Sequence, residues 1–139
     1  MKYKQLNMDW GAEPNAPDPQ IENDSFKGNL RLTFCLNPYS DNEEEVRAEI
    51  KFFECYKYRL GPTNDEGFYK GQCRFLKSGI RWGEFYQLEE TDWKGTFPSD
   101  KVILQEHLMY EEGLKHYLFY FRDNTFECIA KEYQYKIIE

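Results

Sequence analysis

Two histidines are the only imidazole groups in the chain, so metal binding or general acid–base chemistry would begin with them. His107 and His116 lie nine positions apart, with Glu106, Glu111 and Glu112 nearby. Zinc proteases place two histidines four residues apart on one helix face with a glutamate between them, and this spacing does not match that motif. The sequence therefore predicts no metal site and no bound cofactor.

Nucleophilic chemistry would need a thiol or a hydroxyl beside a base. The chain has Cys35, Cys55, Cys73 and Cys128, none in a C-x-x-C pair, and it has no G-x-S-x-G turn. Three of these cysteines lie in apolar segments, where a reduced cysteine is an ordinary small core residue. Cys73 has Arg74 beside it, which favours a thiolate, yet a surface thiol is the preferred interpretation. The sequence predicts no catalytic residue.

Acidic and aromatic residues occur together where turn residues interrupt the chain. One loop carries Asn64-Asp65-Glu66, and 81–86 supplies an arginine with large rings. Tryptophan, tyrosine and arginine give much contact energy for little ordering cost, so such residues suit a binding face or a pocket. The other interpretation is that the rings fill the core and the acids are solvated. The candidate binding residues are Trp10, Asn64, Asp65, Glu66, Arg81, Trp82, Glu84, Tyr86, Asp92 and Trp93.

Composition limits the class of protein. The 139 residues include 18% aromatic and 31% charged side chains and carry a formal net charge of −7. A chain of this length predicts one domain over residues 1–139. The negative charge disfavours nucleic acid and anionic membrane as partners and permits a basic protein. No secretory signal or apolar span of ~20 residues is present, which predicts a cytoplasmic protein.

Strand patterns dominate the first half of the chain. Leu30, Leu32, Phe34 and Leu36 alternate with polar or small residues, as in a strand with one buried face. The alternation resumes from Val46 and shifts phase near Phe53, which predicts a β-bulge. A helix over 43–50 is the alternative, because three glutamates there suit a helix N-terminus.

Glycine and proline mark the breaks that follow. Residues 61–67 predict a loop, and 80–88 predict an aromatic-rich strand. Val102-Ile103-Leu104 favours a short strand, with a helix between Ser99 and Gly113 as the alternative. The proline-rich stretch 10–20 predicts an ordered arm or a loop.

The C-terminal pattern is the clearest in the chain. Two apolar runs, 116–122 and 125–130, flank Asp123-Asn124, which predicts a hairpin at the centre of a sheet. The first run is apolar on both alternating sets, so both of its faces should be covered. Residues 133–138 add one more strand. The chain should form five to seven antiparallel strands, as a sandwich or open barrel with at most one or two short helices.

Four stretches carry a resemblance: 9–17, 59–66 with its Asn-Asp-Glu loop, 81–86, and 116–130 with its Phe-Arg-Asp-Asn-Thr-Phe-Glu-Cys-Ile-Ala hairpin. They resemble small uncharacterised bacterial single-domain proteins. Small acidic proteins of this kind are similar to the immunity proteins of toxin systems. The resemblance implies toxin neutralisation and carries over no catalytic residue.

The function that follows is a non-catalytic protein-binding module that neutralises a basic toxin through an acidic, aromatic surface. Electrostatics would raise the association rate, and aromatic anchors would lower the dissociation rate. The alternative is a small-molecule binder or minor enzyme with a pocket of Asp65, Glu66, Arg81 and Glu84. A structural subunit or homodimer is a third hypothesis.

Overall fold

One antiparallel sheet of eight strands forms the molecule, which a computed structural model describes for residues 2–24, 27–36, 46–62, 75, 78–81 and 83–138. The strands are β1 (Lys2–Gln5), β2 (Gln20–Asp24), β3 (Asn29–Cys35), β4 (Arg47–Pro62), β5 (Phe85–Glu89), β6 (Val102–Ile103), β7 (Lys115–Tyr120) and β8 (Asn124–Ile138). A 3₁₀ turn covers Glu106–Tyr110. The order β1-β5-β7-β8-β4-β3-β2, with β6 on β4, leaves the sheet open. The predicted mainly β, antiparallel fold is confirmed, although the sheet has eight strands rather than the five to seven expected.

Two long strands, β4 and β8, pair along almost their whole length and organise the sheet. The first half of β8 also pairs with β7, and the first half of β4 also pairs with β3. The other strands therefore attach at opposite ends of one two-stranded ribbon. Within the described residues, no helix has the length and apolar character to cross a membrane.

A β-bulge interrupts β4, as the sequence predicts, but it lies about three residues after the phase shift at Phe53. The register with β8 slips by one residue between Cys55 and Lys57, so Tyr56 is the extra residue. Glu54, beside the bulge, has a φ of 50°, in the left-handed region. Bulges bend a strand and strengthen its local twist, so this one helps the two ends of the ribbon to turn towards each other.

The inner face of the sheet packs against itself and forms the main core. Phe34 of β3 and Phe119 of β7 have ring centroids 5.3 Å apart, and Phe52 of β4 lies 5.3 Å from Tyr117 of β7. Strands at opposite ends of the ribbon thus bury the same cluster. This inner cluster consists of Leu30, Leu32, Phe34, Ala48, Ile50, Phe52, Cys55, Phe85, Tyr117, Phe119, Phe121, Phe126, Cys128 and Ala130.

Two smaller clusters cover the opposite, outer face of β7 and its neighbours. The first outer cluster holds Ile80, Tyr86, Leu88, Leu118 and Tyr120, with Phe75 against it. The second outer cluster holds Tyr56, Leu108 and Ile129, with Trp93, Phe97, Met109 and Leu114 against it. Both faces of β7 are therefore covered, as predicted from its apolar character on both alternating sets.

Several predicted boundaries were wrong. The hairpin turn is centred on Arg122 and Asp123, because the Phe121 amide donates to the Asn124 carbonyl at 2.8 Å. Residues 133–138 continue β8 rather than forming a new strand. Of the predicted loop 61–67, Gly61 and Pro62 belong to β4, and the rest lies outside the described residues.

Other boundaries also moved because long-range pairing overrode local pattern. β5 begins at Phe85 rather than at Ile80. β1 and β2, which lack apolar alternation, form because β5 and β3 offer them an edge. The favoured short strand at 102–104 is confirmed as β6, and the alternative helix over 99–113 is not formed. The alternative helix over 43–50 is a strand from Arg47 onward, and 43–45 lie outside the described residues.

Candidate functional site

The predicted binding residues do not form a single site. Trp10 packs against the inner cluster, stacked on Tyr135 with centroids 4.2 Å apart and planes 5° apart. It shares a cleft of about 200 Å³ with Glu84 and Arg122. In this cleft the structure brings together two of the predicted residues, Trp10 and Glu84.

Glu84 holds the N-terminal arm in place. Its Oε2 accepts a hydrogen bond from Gln5 Nε2 at 2.9 Å and one from Asn7 Nδ2. Asn7 is buried, and its Oδ1 accepts from the Phe85 amide at 3.0 Å. The carboxylate therefore links the arm to the start of β5, which is a structural role.

Arg81 and Tyr86 lie together beside the first outer cluster. The Arg81 backbone amide donates to the Tyr86 hydroxyl at 2.8 Å, and the Arg81 side chain is exposed. Burial raises the pKa of the Tyr86 phenol, and the hydrogen bond from Arg81 partly opposes that effect. Tyr86 is a core residue, so of these two only Arg81 is available to a partner.

Asp92 and Trp93 lie on a different part of the outer face. Asp92 Oδ1 accepts from the Gly95 amide at 3.1 Å and so initiates a turn. The half-buried Trp93 ring packs edge-on to Tyr56, with centroids 6.0 Å apart. Asn64, Asp65, Glu66 and Trp82 lie outside the described residues, as does Cys73.

A buried polar group on the outer face was missed by the sequence interpretation. His116 Nε2 lies 2.7 Å from Glu127 Oε1, and His116 Nδ1 lies 2.8 Å from Thr91 Oγ1. The histidine is 1% exposed and the glutamate 2%. Both imidazole nitrogens are engaged whether the ring is neutral or protonated, because Thr91 Oγ1 can donate or accept. The ring is therefore held as a structural link between β7, β8 and the segment after β5.

Lys57 lies on the same face, in an aromatic cage. Its Nζ donates to the Trp93 carbonyl at 2.9 Å and lies 4.5 Å from the centroid of Phe97. The rings of Tyr56 and Trp93 lie within 5.1 Å and 5.6 Å of the same nitrogen. The lysine is 3% exposed, so this cage replaces the water that the ammonium group loses on burial.

Burial shields the thiols of Cys35, Cys55 and Cys128 from solvent. Burial raises the pKa of the Cys128 thiol, and its hydrogen bond with Cys55 adds to the effect, so the thiol stays protonated. Among the described residues, no three His, Cys, Asp or Glu side chains are placed to hold a metal ion.

The acidic segment, residues 89–114, carries a net charge of −5, from seven acidic and two basic residues. All seven acidic side chains are exposed. They are Glu89, Glu90, Asp92, Asp100, Glu106, Glu111 and Glu112.

β4 anchors the acidic segment through the region of the bulge. The Tyr56 carbonyl accepts from the amides of Leu104 at 2.9 Å and Gln105 at 3.2 Å. Arg59 Nε donates to both Asp100 carboxylate oxygens, at 3.0 Å and 3.1 Å. Together with the bond from Lys57 to the Trp93 carbonyl, these contacts fix the segment on the sheet.

Large apolar side chains accompany the acids on this surface. Tyr110, at the end of the 3₁₀ turn, is 81% exposed, while its neighbours Leu108 and Met109 pack into the second outer cluster. A cleft of about 230 Å³ lies at the junction of β5 and β7, lined by Glu89, Glu90, Trp93 and other residues. The segment therefore presents carboxylates around partly exposed aromatic rings.

The net charge of −5 over 89–114 can be read from the sequence, but residues 5–26 carry the same net charge, so charge alone does not single out the acidic segment. The buried group at His116 leaves no signal in the sequence. No protein-family model matches the chain, and no curated protein or solved structure is significantly similar to it.

Proposed function

We propose that this chain is a non-catalytic, cytoplasmic protein-binding module, and that the acidic segment binds a basic protein partner. Neutralisation of a bacterial toxin is the most concrete version. The observation that supports it is the exposure of all seven acidic side chains of 89–114 on an anchored surface. A surface of one sign raises the encounter rate with a partner of the opposite sign.

The same surface supplies groups that slow dissociation. Tyr110 is exposed, and Trp93 is half-buried beside the acidic rim of the cleft. Aromatic side chains in the middle of an interface carry much of its binding energy when a polar rim excludes water around them. The anchoring of the segment to β4 reduces the loss of conformational entropy on binding.

The alternative, a small-molecule site, receives less support from the described residues. The two clefts described above measure about 200 Å³ and 230 Å³, and pockets for drug-sized ligands are typically ~300 Å³ or larger. Glu84 is engaged with the N-terminal arm, and Asp65 and Glu66 lie outside the described residues.

The direct test is isothermal titration of the purified chain against the products of genes adjacent to its own. We expect one of them, a basic protein, to bind tightly and with strong salt dependence. The absence of any tight partner among those products contradicts the toxin-neutralising proposal.

Charge variants locate the surface once that partner is in hand. Glu111→Gln with Glu112→Gln should lower the association rate by about 3–10-fold at low salt, because steering depends on the local field. The matched control, Asp9→Asn with Asp123→Asn, removes the same charge elsewhere and should change the rate less than about 2-fold. Stopped-flow measurement that gives equal effects for both pairs would place the interface outside the acidic segment.

Tyr110→Ala tests the aromatic contribution. We expect the dissociation constant to rise about 10–100-fold, mainly through the dissociation rate, as for an interface anchor. Met8→Ala is the control, since Met8 is 77% exposed on the N-terminal arm. Surface plasmon resonance separates the two rates, and equal affinity of both variants contradicts a central role for Tyr110.

A further inference from the structure

The second half of β8 forms an edge of the sheet. The pairing of β7 with β8 ends at Ala130, whereas β4 pairs with β8 as far as Ile138. In the part of the chain that the structure describes, no strand and no backbone hydrogen bond lies on the other side of 131–138. A long strand edge of this kind is a template for a further strand.

Charges along this edge are arranged as a self-complementary set. Glu132, Gln134 and Lys136 occupy alternate positions and are exposed, so they point to the same face of the strand. An antiparallel copy related by a two-fold axis at Gln134 would place Glu132 opposite Lys136 of the partner subunit. The symmetry repeats that pair, so two pairs of opposite charges flank the axis.

Packing on the other face holds this edge in a preformed extended shape. Tyr135 stacks on Trp10, and the Tyr133 ring lies edge-on to Phe85 with centroids 5.4 Å apart. At the end of the strand, Ile137 and Ile138 are 52% and 37% exposed. A strand that is already ordered pays little conformational entropy when another strand joins it.

We propose that two copies of this chain associate through 131–138, as antiparallel strands about a two-fold axis at Gln134. The contact uses the same residues on both copies, so it closes as a dimer and does not extend into a filament. The acidic segment is not part of this interface. The dimer is therefore independent of the proposed function, and either proposal can fail alone.

Charge reversal tests both the association and its register. Sedimentation velocity of the wild-type chain, from about 1 μM to about 200 μM, should show conversion from the monomer to a species of twice its mass. Glu132→Lys places two ammonium groups opposite each other on both sides of the axis, and should weaken the dimer at least about 10-fold. Lys136→Glu should also weaken the dimer, and because it breaks the ion pair of Lys136 with Glu49 at 3.5 Å it should lower the free energy of unfolding as well. The double variant Glu132→Lys with Lys136→Glu restores opposite charges and should restore the dimer.

The control is Glu106→Lys, which makes the same charge change on the acidic segment and should leave the dimer unchanged. Urea unfolding midpoints of every variant verify that each one is folded at the temperature of the measurement. A wild-type chain that remains monomeric at about 200 μM overturns the proposal. Single variants that dimerise like the wild type, or a double variant that does not recover, also overturn it.

Discussion

At the scale of residues, the outer face of the sheet carries ionisable groups that are almost fully buried, and Lys57, His116 and Glu127 are among them. Burial of a charge costs free energy unless hydrogen bonds and opposite charges replace water. The aromatic cage of Lys57 and the two contacts of His116 supply that replacement. These contacts link β4, β7 and β8 to the acidic segment.

Removal of the imidazole should therefore destabilise the protein. His116→Leu removes the imidazole that lies 2.7 Å from the buried Glu127 carboxylate, and we expect a loss of about 3 kcal/mol in the free energy of unfolding at neutral pH. The control His107→Leu alters the exposed histidine and should cost less than about 0.5 kcal/mol. Urea denaturation measures both, and similar losses would show that the His116 contacts add no stability.

Ionisation of Tyr117 should make the free energy of unfolding fall at alkaline pH. Burial raises the pKa of its phenol, with a further contribution from Cys128. Below about pH 10 the phenol is neutral in both states, so stability is fully present there. As the pH rises further, the unfolded chain ionises first, and stability falls until the pH passes the folded pKa.

The predicted loss reaches about 1.4 kcal/mol for each pH unit above about pH 10. Tyr117→Phe should remove this part of the slope, whereas Tyr110→Phe, at an exposed tyrosine, should leave it unchanged. The free energy of unfolding from about pH 9 to about pH 11 provides the measurement. If the free energy of unfolding of Tyr117→Phe falls with pH as steeply as that of the wild type, Tyr117 is not the source of the slope.

At the scale of elements, the bulge in β4 bends the β4–β8 ribbon and so sets the relative orientation of the two halves of the sheet. Tyr56 is the extra residue, and its carbonyl receives two amides from the acidic segment. Glu54 adopts a left-handed conformation nearby, which costs a non-glycine residue roughly 1–2 kcal/mol. One local irregularity thus bends the central ribbon and positions the proposed binding surface.

Glycine at this position should relieve the strain. We expect Glu54→Gly to raise the free energy of unfolding by about 0.5 kcal/mol, because the relief exceeds the entropy cost of glycine. The exposed ion pair of Glu54 with Lys131, at 3.5 Å, adds little to oppose it. Lys51→Gly, in the same strand, should lower stability by about 1 kcal/mol. Thermal and urea denaturation measure the stability of both variants. A lower free energy of unfolding in both would show that the backbone at Glu54 is not strained.

At the scale of the whole molecule, strands distant in the chain bury one inner cluster. β3 and β7 contact each other through Phe34 and Phe119, although they lie near opposite ends of the strand order. Such shared burial makes each half of the sheet depend on the other. We therefore predict that the strands of the sheet unfold cooperatively, as the single domain expected from the sequence would.

The tryptophans provide separate probes of that cooperativity. Trp10 reports on the inner cluster and Trp93 on the second outer cluster. With Trp82→Phe in both proteins, so that one tryptophan remains in each, we expect Trp93→Phe and Trp10→Phe to show urea transitions by fluorescence that coincide with the transition by far-ultraviolet circular dichroism. Two separate midpoints in either variant would contradict the prediction of a single domain.

Local pattern predicted those elements in which one face is buried. The alternation of Leu30, Leu32 and Phe34 determined β3, and the phase shift near Phe53 indicated the bulge. The apolar runs around Asp123 determined the central hairpin, although its turn lies one residue earlier than expected. Polar edge strands such as β1 carry no such pattern, since their stability comes from the strand beside them.

The sequence by itself determined the mainly β class, the hairpin and the excess of acidic and aromatic residues, because side-chain period and composition are local properties. Only the tertiary structure decided where those residues lie. It placed Trp10 against Tyr135 in the core and buried Tyr86. It also displayed the carboxylates of 89–114 on an anchored surface. Burial depends on contacts between residues far apart in the chain. These contacts therefore decide whether an aromatic side chain of a given type lies in the core or on the surface.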